Sequence, residues 1–192
     1  MKSKIAMLSV LLLVTLQTSA QVKNYPPANV SFDDFKGLVA KVETHRANRL
    51  VDLDTFLTMS KRPGVIILDT RSAFRYERIH VEGAKHLSFT DFTQDNLRNV
   101  IPSVDTTVLI YCNNNFAGNQ THFASKIAFP QPRDSVSVQF AAQEKPIMMA
   151  LNIPTYINLY GYGYRNVYEL DELVNVNDPR ITFEGSTVND KP

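Results

Sequence analysis

Cysteine is nearly missing from this chain. Cys112 is the single thiol among 192 residues. An intramolecular disulfide is therefore excluded, and Cys112 is left as a reactive thiol, an intermolecular bridge or a buried inert side chain. An excess of charge of one sign is missing too, with 20 basic against 19 acidic residues. That balance gives no electrostatic case for nucleic acid or an anionic membrane surface. His80 and His86 have no acid or cysteine near them in a recognisable ligand pattern, so no metal site is expected. Beyond the first residues there is no apolar run of membrane-spanning length, which takes about 20 residues.

The N-terminus has its own signature. Lys2 and Lys4 precede a mostly apolar stretch from Ile5 to Leu16, and Thr18-Ser19-Ala20 offers small residues for cleavage before Gln21. Residues 1–20 are expected to be a signal peptide, and the mature chain to be exported, periplasmic or secreted. No cysteine follows Ala20, which argues against a lipid anchor. Without residues 1–20 the balance is 18 basic to 19 acidic residues. What remains is long enough for one α/β core. Exported compartments tend to oxidise thiols. A lone cysteine kept there is an argument for its use.

Periodicity then orders the rest. Phe32, Phe35, Leu38, Val39 and Val42 predict a helix over 32–45, with Ser31 and Asp34 placed as a capping box. A short strand is expected at Arg49–Val51, and a second helix from Asp52 or Asp54 to just before Arg62-Pro63-Gly64. Val65-Ile66-Ile67-Leu68 and Val108-Leu109-Ile110-Tyr111 are continuous apolar runs, the pattern of strands buried on both faces. Between them come a short helix at Ser72–Arg78, a strand at His86–Phe89 and a helix at Asp91–Val100. Residues 113–150 are irregular, with one or two helical turns expected at Phe123–Ile127 and an edge strand at Ser135–Phe140. A helix starting near Asn152-Ile153-Pro154 ends at Gly163, and Asn166–Leu170 forms the last strand. Ile181 and Phe183 are the docking points of a polar tail. Strands alternating with helices predict a mainly parallel sheet covered on both faces.

Four pieces stand out in order. They are Ile67-Leu68-Asp69-Thr70-Arg71 with Tyr76, then His80-Val81-Glu82-Gly83-Ala84, then the strand into Cys112, then Gly163-Tyr164-Arg165-Asn166-Val167-Tyr168-Glu169-Leu170. Together they resemble the rhodanese-like domain family. The resemblance implies an α/β fold with a mainly parallel five-stranded sheet and helices on both faces, over residues 49–174. Residues 21–48 are then an N-terminal extension with a helix, and residues 175–192 a C-terminal tail. It also implies a sulfurtransferase in which Cys112 carries a persulfide from a small sulfur donor, thiosulfate or a persulfide, to a thiol acceptor. No cofactor is implied. Other members of the family act as binding or regulatory modules, so a catalytically weak binding or redox module, with a protein partner, stands as the alternative. One departure is plain: the family's short loop after the cysteine is interrupted by an insertion over about residues 116–150, and no arginine occurs between Cys112 and Arg133.

Chemistry at Cys112 sets the requirements. A free thiol with a pKa near 8.5 is only about 3% thiolate at neutral pH. Backbone N–H groups and a helix N-terminus are able to stabilise the anion. Asn113, Asn114, Asn115 and Gly118 are the expected anion-binding loop, because asparagine and glycine suit tight turns. Such a loop offers dipoles without a fixed positive charge, and Lys126, Arg133 and Lys145 are the cations within the insertion. Asp69 and Arg71 are expected to tie the strand end as a charged pair, and His80 to order the turn before Gly83. The tyrosines at 156, 160, 162 and 164 are read as core packing, with an aromatic wall over the cysteine or a partner surface as the rival reading.

Overall fold

The computed structural model describes residues 25–129 and 145–188. The expected signal peptide, Arg133 and the edge strand at Ser135–Phe140 lie outside the described residues. The chain divides after Ser31, and the described residues before that point form neither helix nor strand. The elements then run α1 (Phe32–Ala47), β1 (Leu50–Val51), α2 (Leu53–Ser60), β2 (Ile66–Asp69), α3 (Ala73–Arg78), β3 (His80–Val81) and β4 (Lys85–His86). They continue with α4 (Gln94–Val100), β5 (Val108–Tyr111), β6 (Phe116–Ala117), β7 (Ile127–Ala128), β8 (Ile147–Met148), α5 (Asn152–Gly161), β9 (Val167–Leu170), β10 (Val174–Asn175) and β11 (Phe183–Glu184).

Five strands make the main sheet, in the order β1-β9-β5-β2-β4. All of its pairings are parallel. β5 is central, and every residue of β2 and β5 is buried. That is why both read as unbroken apolar runs. Their side chains alternate between two cores. Ile67, Leu109 and Tyr111 face α2, with Leu53, Phe56 and Met59. Ile66, Leu68, Val108 and Ile110 face Val42 of α1, Leu97 of α4 and Tyr156 and Leu159 of α5.

Local signals explain most element ends. The Asp52 carboxylate accepts the Thr55 N–H at 2.7 Å and starts α2, and Thr93 caps α4 through the Asn96 N–H. α5 closes as the sequence predicts. Gly163 has φ of +103°, its N–H bonds the Tyr160 carbonyl, and the Tyr164 N–H reaches the Leu159 carbonyl. That paired closure needs a left-handed residue, which glycine supplies without strain.

Three expectations are corrected. The strand placed at His86–Phe89 is Lys85–His86, followed by a 3-10 turn at Phe89–Asp91. Backbone bonds from Leu87 to Asp69 and from Phe89 to Thr70 still tie that stretch to the end of β2. The helical turn expected at Phe123–Ile127 is not formed; Ile127–Ala128 pairs antiparallel with Ile147–Met148. The insertion is also less irregular than it reads, since Phe116 and Phe123 are fully buried in the core on the α2 side. The tail docks through Ile181 and Phe183, with β11 antiparallel to β3.

Candidate active site

Cys112 comes immediately after β5, at the C-terminal edge of the sheet's central strand. Side-chain alternation sends Tyr111 to the α2 side and Cys112 to the side of α1 and α5. The chain then bends through a 3-10 turn at Asn113–Asn115. Asn115 closes this turn on Cys112: its N–H donates to the Cys112 carbonyl at 3.2 Å, and its Oδ1 accepts the Cys112 N–H at 2.9 Å. The N–H of Asn114 bears on the sulfur, as do those of Leu151 and Asn152 at the start of α5. Three backbone donors therefore meet at one sulfur, one from the turn and two from a helix N-terminus.

Burial acts against them. Cys112 is 1% exposed, and this desolvation pushes its thiol above the ordinary value. The N–H groups of Asn114, Asn152 and Leu151 pull the other way, while the nearby Glu169 charge adds to the rise. The resting side chain is a thiol at neutral pH.

Asn115 serves as a brace. Its amide nitrogen donates to the Leu170 carbonyl at 2.7 Å and the Glu172 carbonyl at 3.2 Å, and its oxygen also accepts from Asn152 Nδ2 at 2.9 Å. It joins the ends of β5, β9 and α5 and does not line the pocket beside the thiol. Gly118 lies apart from Cys112, against Asn175 and Val176, with φ of +91°. Asn113 and Asn114 do line the pocket. The Asn114 side chain faces the insertion, receiving the Lys126 N–H at 2.9 Å and donating to the Lys126 carbonyl at 3.1 Å.

Beneath the turn lies a buried ion pair. Arg71 grips Asp69 through Nε and Nη2, the shortest contact being 2.6 Å. Arg71 Nη2 also donates to the Ile79 carbonyl, and Nη1 reaches Asn113 Oδ1 at 3.4 Å. Burial works against the Arg71 charge, but the bonds to Asp69 outweigh it and keep the guanidinium protonated. The Tyr111 hydroxyl completes the network, donating to Asp69 Oδ2 and accepting the Val81 N–H. Phe123 of the insertion covers the Arg71 guanidinium, 4.6 Å from ring centre to carbon.

His80 stands off from the thiol pocket. Its ring stacks on Tyr76 at 3.8 Å and spans the Tyr76 carbonyl and Glu184. Glu184 also receives the Gly83 N–H, so this set orders the turn between β3 and β4. The tyrosines near α5 belong to the scaffold. Tyr164 donates to the Ile101 carbonyl, Tyr162 to the Phe92 carbonyl, and Tyr156 meets His45 Nδ1. None of them lines the Cys112 pocket.

The pocket over the thiol has a volume of about 270 Å³. Arg71, Ser72 and Arg75 form one side, Cys112 to Asn114 the floor, and Ala124 to Lys126 with Leu151 the other side. Sequence reasoning did not find Arg75, whose place depends on α3 meeting the insertion. Among the described residues no group of three or more His, Cys, Asp or Glu side chains is placed to hold a metal ion.

The model for the rhodanese-like domain matches residues 52–172. The chain belongs to the rhodanese-like domain family. Among solved structures it is similar to the Alr3790 protein from Anabaena sp., with 14% identity, a TM-score of 0.39, and coverage of 72% of this chain and 94% of that one. It is also similar to the BH2092 protein from Bacillus halodurans, with 17% identity, a TM-score of 0.35, and coverage of 70% and 74%. A rhodanese-like domain of the same Anabaena protein matches at 16% identity and a TM-score of 0.34, covering 64% of this chain and 93% of that one. None of the curated protein sequences matches the chain. The rhodanese-like match includes both the Asp69–Arg71 pair and Cys112, while α1 precedes it.

Proposed function

We propose that this rhodanese-like protein is an exported sulfurtransferase that carries sulfur on Cys112. The observation that supports this reading is the convergence of three backbone N–H groups on a single sulfur at the floor of a pocket. Donors fixed by a turn and a helix end stabilise a developing anion without reorganising. The export half rests on Lys2, Lys4, the apolar Ile5–Leu16 and the small residues before Gln21. No described helix is long and apolar enough to cross a membrane.

The chemistry takes two steps. Cys112 gives its proton to water, and the thiolate attacks the outer sulfur of thiosulfate. A Cys112 sulfur–sulfur bond forms, the donor's sulfur–sulfur bond breaks, and sulfite leaves with the electron pair. An acceptor thiolate then attacks the outer sulfur of the persulfide and restores the Cys112 thiolate. The persulfide charge sits on the outer sulfur, which projects from the buried floor into the pocket. Burial therefore opposes the resting thiolate more than the loaded form.

Incubating the mature protein and its Cys112→Ser variant with thiosulfate and with a persulfide donor, followed by intact mass, tests this reading. A gain of one sulfur atom on the wild type alone is expected. No gain with either donor, on folded protein with a free thiol, would sink it. The raised thiol value favours a second reading, a binding or redox-responsive module. That reading expects slow alkylation and no sulfur turnover.

A further inference from the structure

The core uses only half of the apolar pattern of α1. Leu38, Val42 and His45 form its inner seam: Val42 is buried, Leu38 packs against the same core, and His45 meets Tyr156. A Cβ added at Gly161 would come within 2.9 Å of the Leu38 side chain, so α1 lies close against α5 and cannot turn its outer side inward. The other apolar residues of the helix, Phe32, Phe35 and Val39, are 77%, 43% and 39% exposed. Phe32, Lys36, Val39, Glu43 and Ala47 follow one another at steps of four, three, four and four residues, and all five are exposed. That spacing places them in one stripe along the helix. Lys36 and Glu43 have no ion-pair partner among the described residues.

We infer that this outer stripe binds the same stripe of a second copy of the chain, antiparallel, across a two-fold axis. The occupant follows from charge and from size. α1 runs from Phe32 to Ala47. Laid against itself end for end, it brings Lys36 opposite Glu43 of the second copy, and Glu43 opposite that copy's Lys36. The same register puts Phe32, the largest side chain of the stripe, over Ala47, the smallest, and Val39 beside Ala40. A parallel pair would instead put Lys36 against Lys36 and Glu43 against Glu43, which like charge opposes. One orientation and one register therefore satisfy the stripe. α1 has 16 residues and is about 24 Å long. Such a seam is smaller than a standard interface of about 1,600 Å², so the dimer is reversible and forms as concentration rises. No residue of α1 lines the Cys112 pocket, so the inference is independent of sulfur transfer and each copy keeps its own thiol.

Sedimentation velocity of the full mature chain, from low to high micromolar concentration, tests the pairing. The wild type is expected to shift from monomer to dimer as concentration rises, and Phe32→Gln to stay monomeric. Lys36→Glu and Glu43→Lys are each expected to weaken the dimer about tenfold, because each turns two attractions into two repulsions. The chain carrying both substitutions restores opposite charges across the seam and is expected to regain wild-type association. Circular dichroism and melting curves check that each variant folds, which is expected because every substituted side chain is exposed. A wild type that is monomeric throughout overturns the inference. A dimer that survives Phe32→Gln lies on another surface and overturns it as well. A dimer that neither single charge reversal weakens overturns the antiparallel register. A monomer that floats with phosphatidylcholine–phosphatidylglycerol vesicles, and loses them in Phe32→Gln, gives the stripe to a lipid surface instead. Sulfur loading of Cys112 is weighed on the same preparations, so failure of either reading is seen apart from the other.

Discussion

The floor of the Cys112 pocket and its outer wall are built differently. The floor rests on a set of buried groups: Asp69, Arg71, Tyr111, Asn115 and Asn152 each bond across elements distant in sequence. The wall is the run Ala124–Lys126 with the antiparallel pair β7 and β8, whose residues are all exposed. A few backbone bonds and the Asn114 clamp hold it. The difference teaches where each requirement is met. Chemistry at the sulfur needs donors fixed to fractions of an ångström, and a buried network supplies that. The wall, by contrast, is thinly held.

Substitutions on the two sides should separate in size. The largest loss is expected at Arg71. Arg71→Leu strands the Asp69 carboxylate in the core and is expected to cost about 3–5 kcal/mol, read as a lower midpoint in urea unfolding. Arg46 comes next. It lies on α1, outside the family match, and holds the buried Glu169 through two bonds of 2.6 Å. Arg46→Met is expected to cost about 2–4 kcal/mol and to move the pH profile of Cys112 alkylation upward, because an unpaired Glu169 faces the thiol. Loss of stability without that movement would show that α1 is a brace with no influence on the sulfur. Asn115→Ala is expected to cost about 1–3 kcal/mol by leaving carbonyls and the Asn152 amide unpaired.

Where the turn meets the wall, Asn114→Ala is expected to change stability by less than about 1 kcal/mol. A loss as large as that of Asn115→Ala would erase the distinction between floor and wall. The smallest effect concerns pH. The folded Cys112 holds its proton more tightly than the unfolded chain does. Its contribution to stability is full below the ordinary thiol value and is lost as pH rises through the raised folded value. Unfolding midpoints of wild type and Cys112→Ser, compared from neutral to alkaline pH, should diverge in that direction.

The sequence carried much of the floor and little of the wall. β2 and β5 were legible because strands buried on both faces leave an unbroken apolar run. Gly163 was legible because the end of α5 needs a left-handed residue. The Asp69–Arg71 pair was visible as a short motif at a strand end. The three adjacent asparagines were not separable by sequence. One faces Arg71, one clamps Lys126 and one braces Cys112, and only the turn's direction decides which does what. The start of α5 was readable, but its aim at Cys112 depends on how the insertion returns. β7 was missed because its partner, β8, comes after a long intervening stretch, and pairing of that kind leaves no local periodicity.

The strand order has a consequence for the making of the molecule. β1, the first strand of the main sheet to emerge, pairs only with β9, the last, so Leu50 waits for Glu169 and Val51 for Leu170. Contacts so distant in sequence close late and slowly. Until residue 170 is present, one edge of β5 has no neighbour and α1 has no Glu169 to hold. A nascent chain is therefore kept open until β9 has been made.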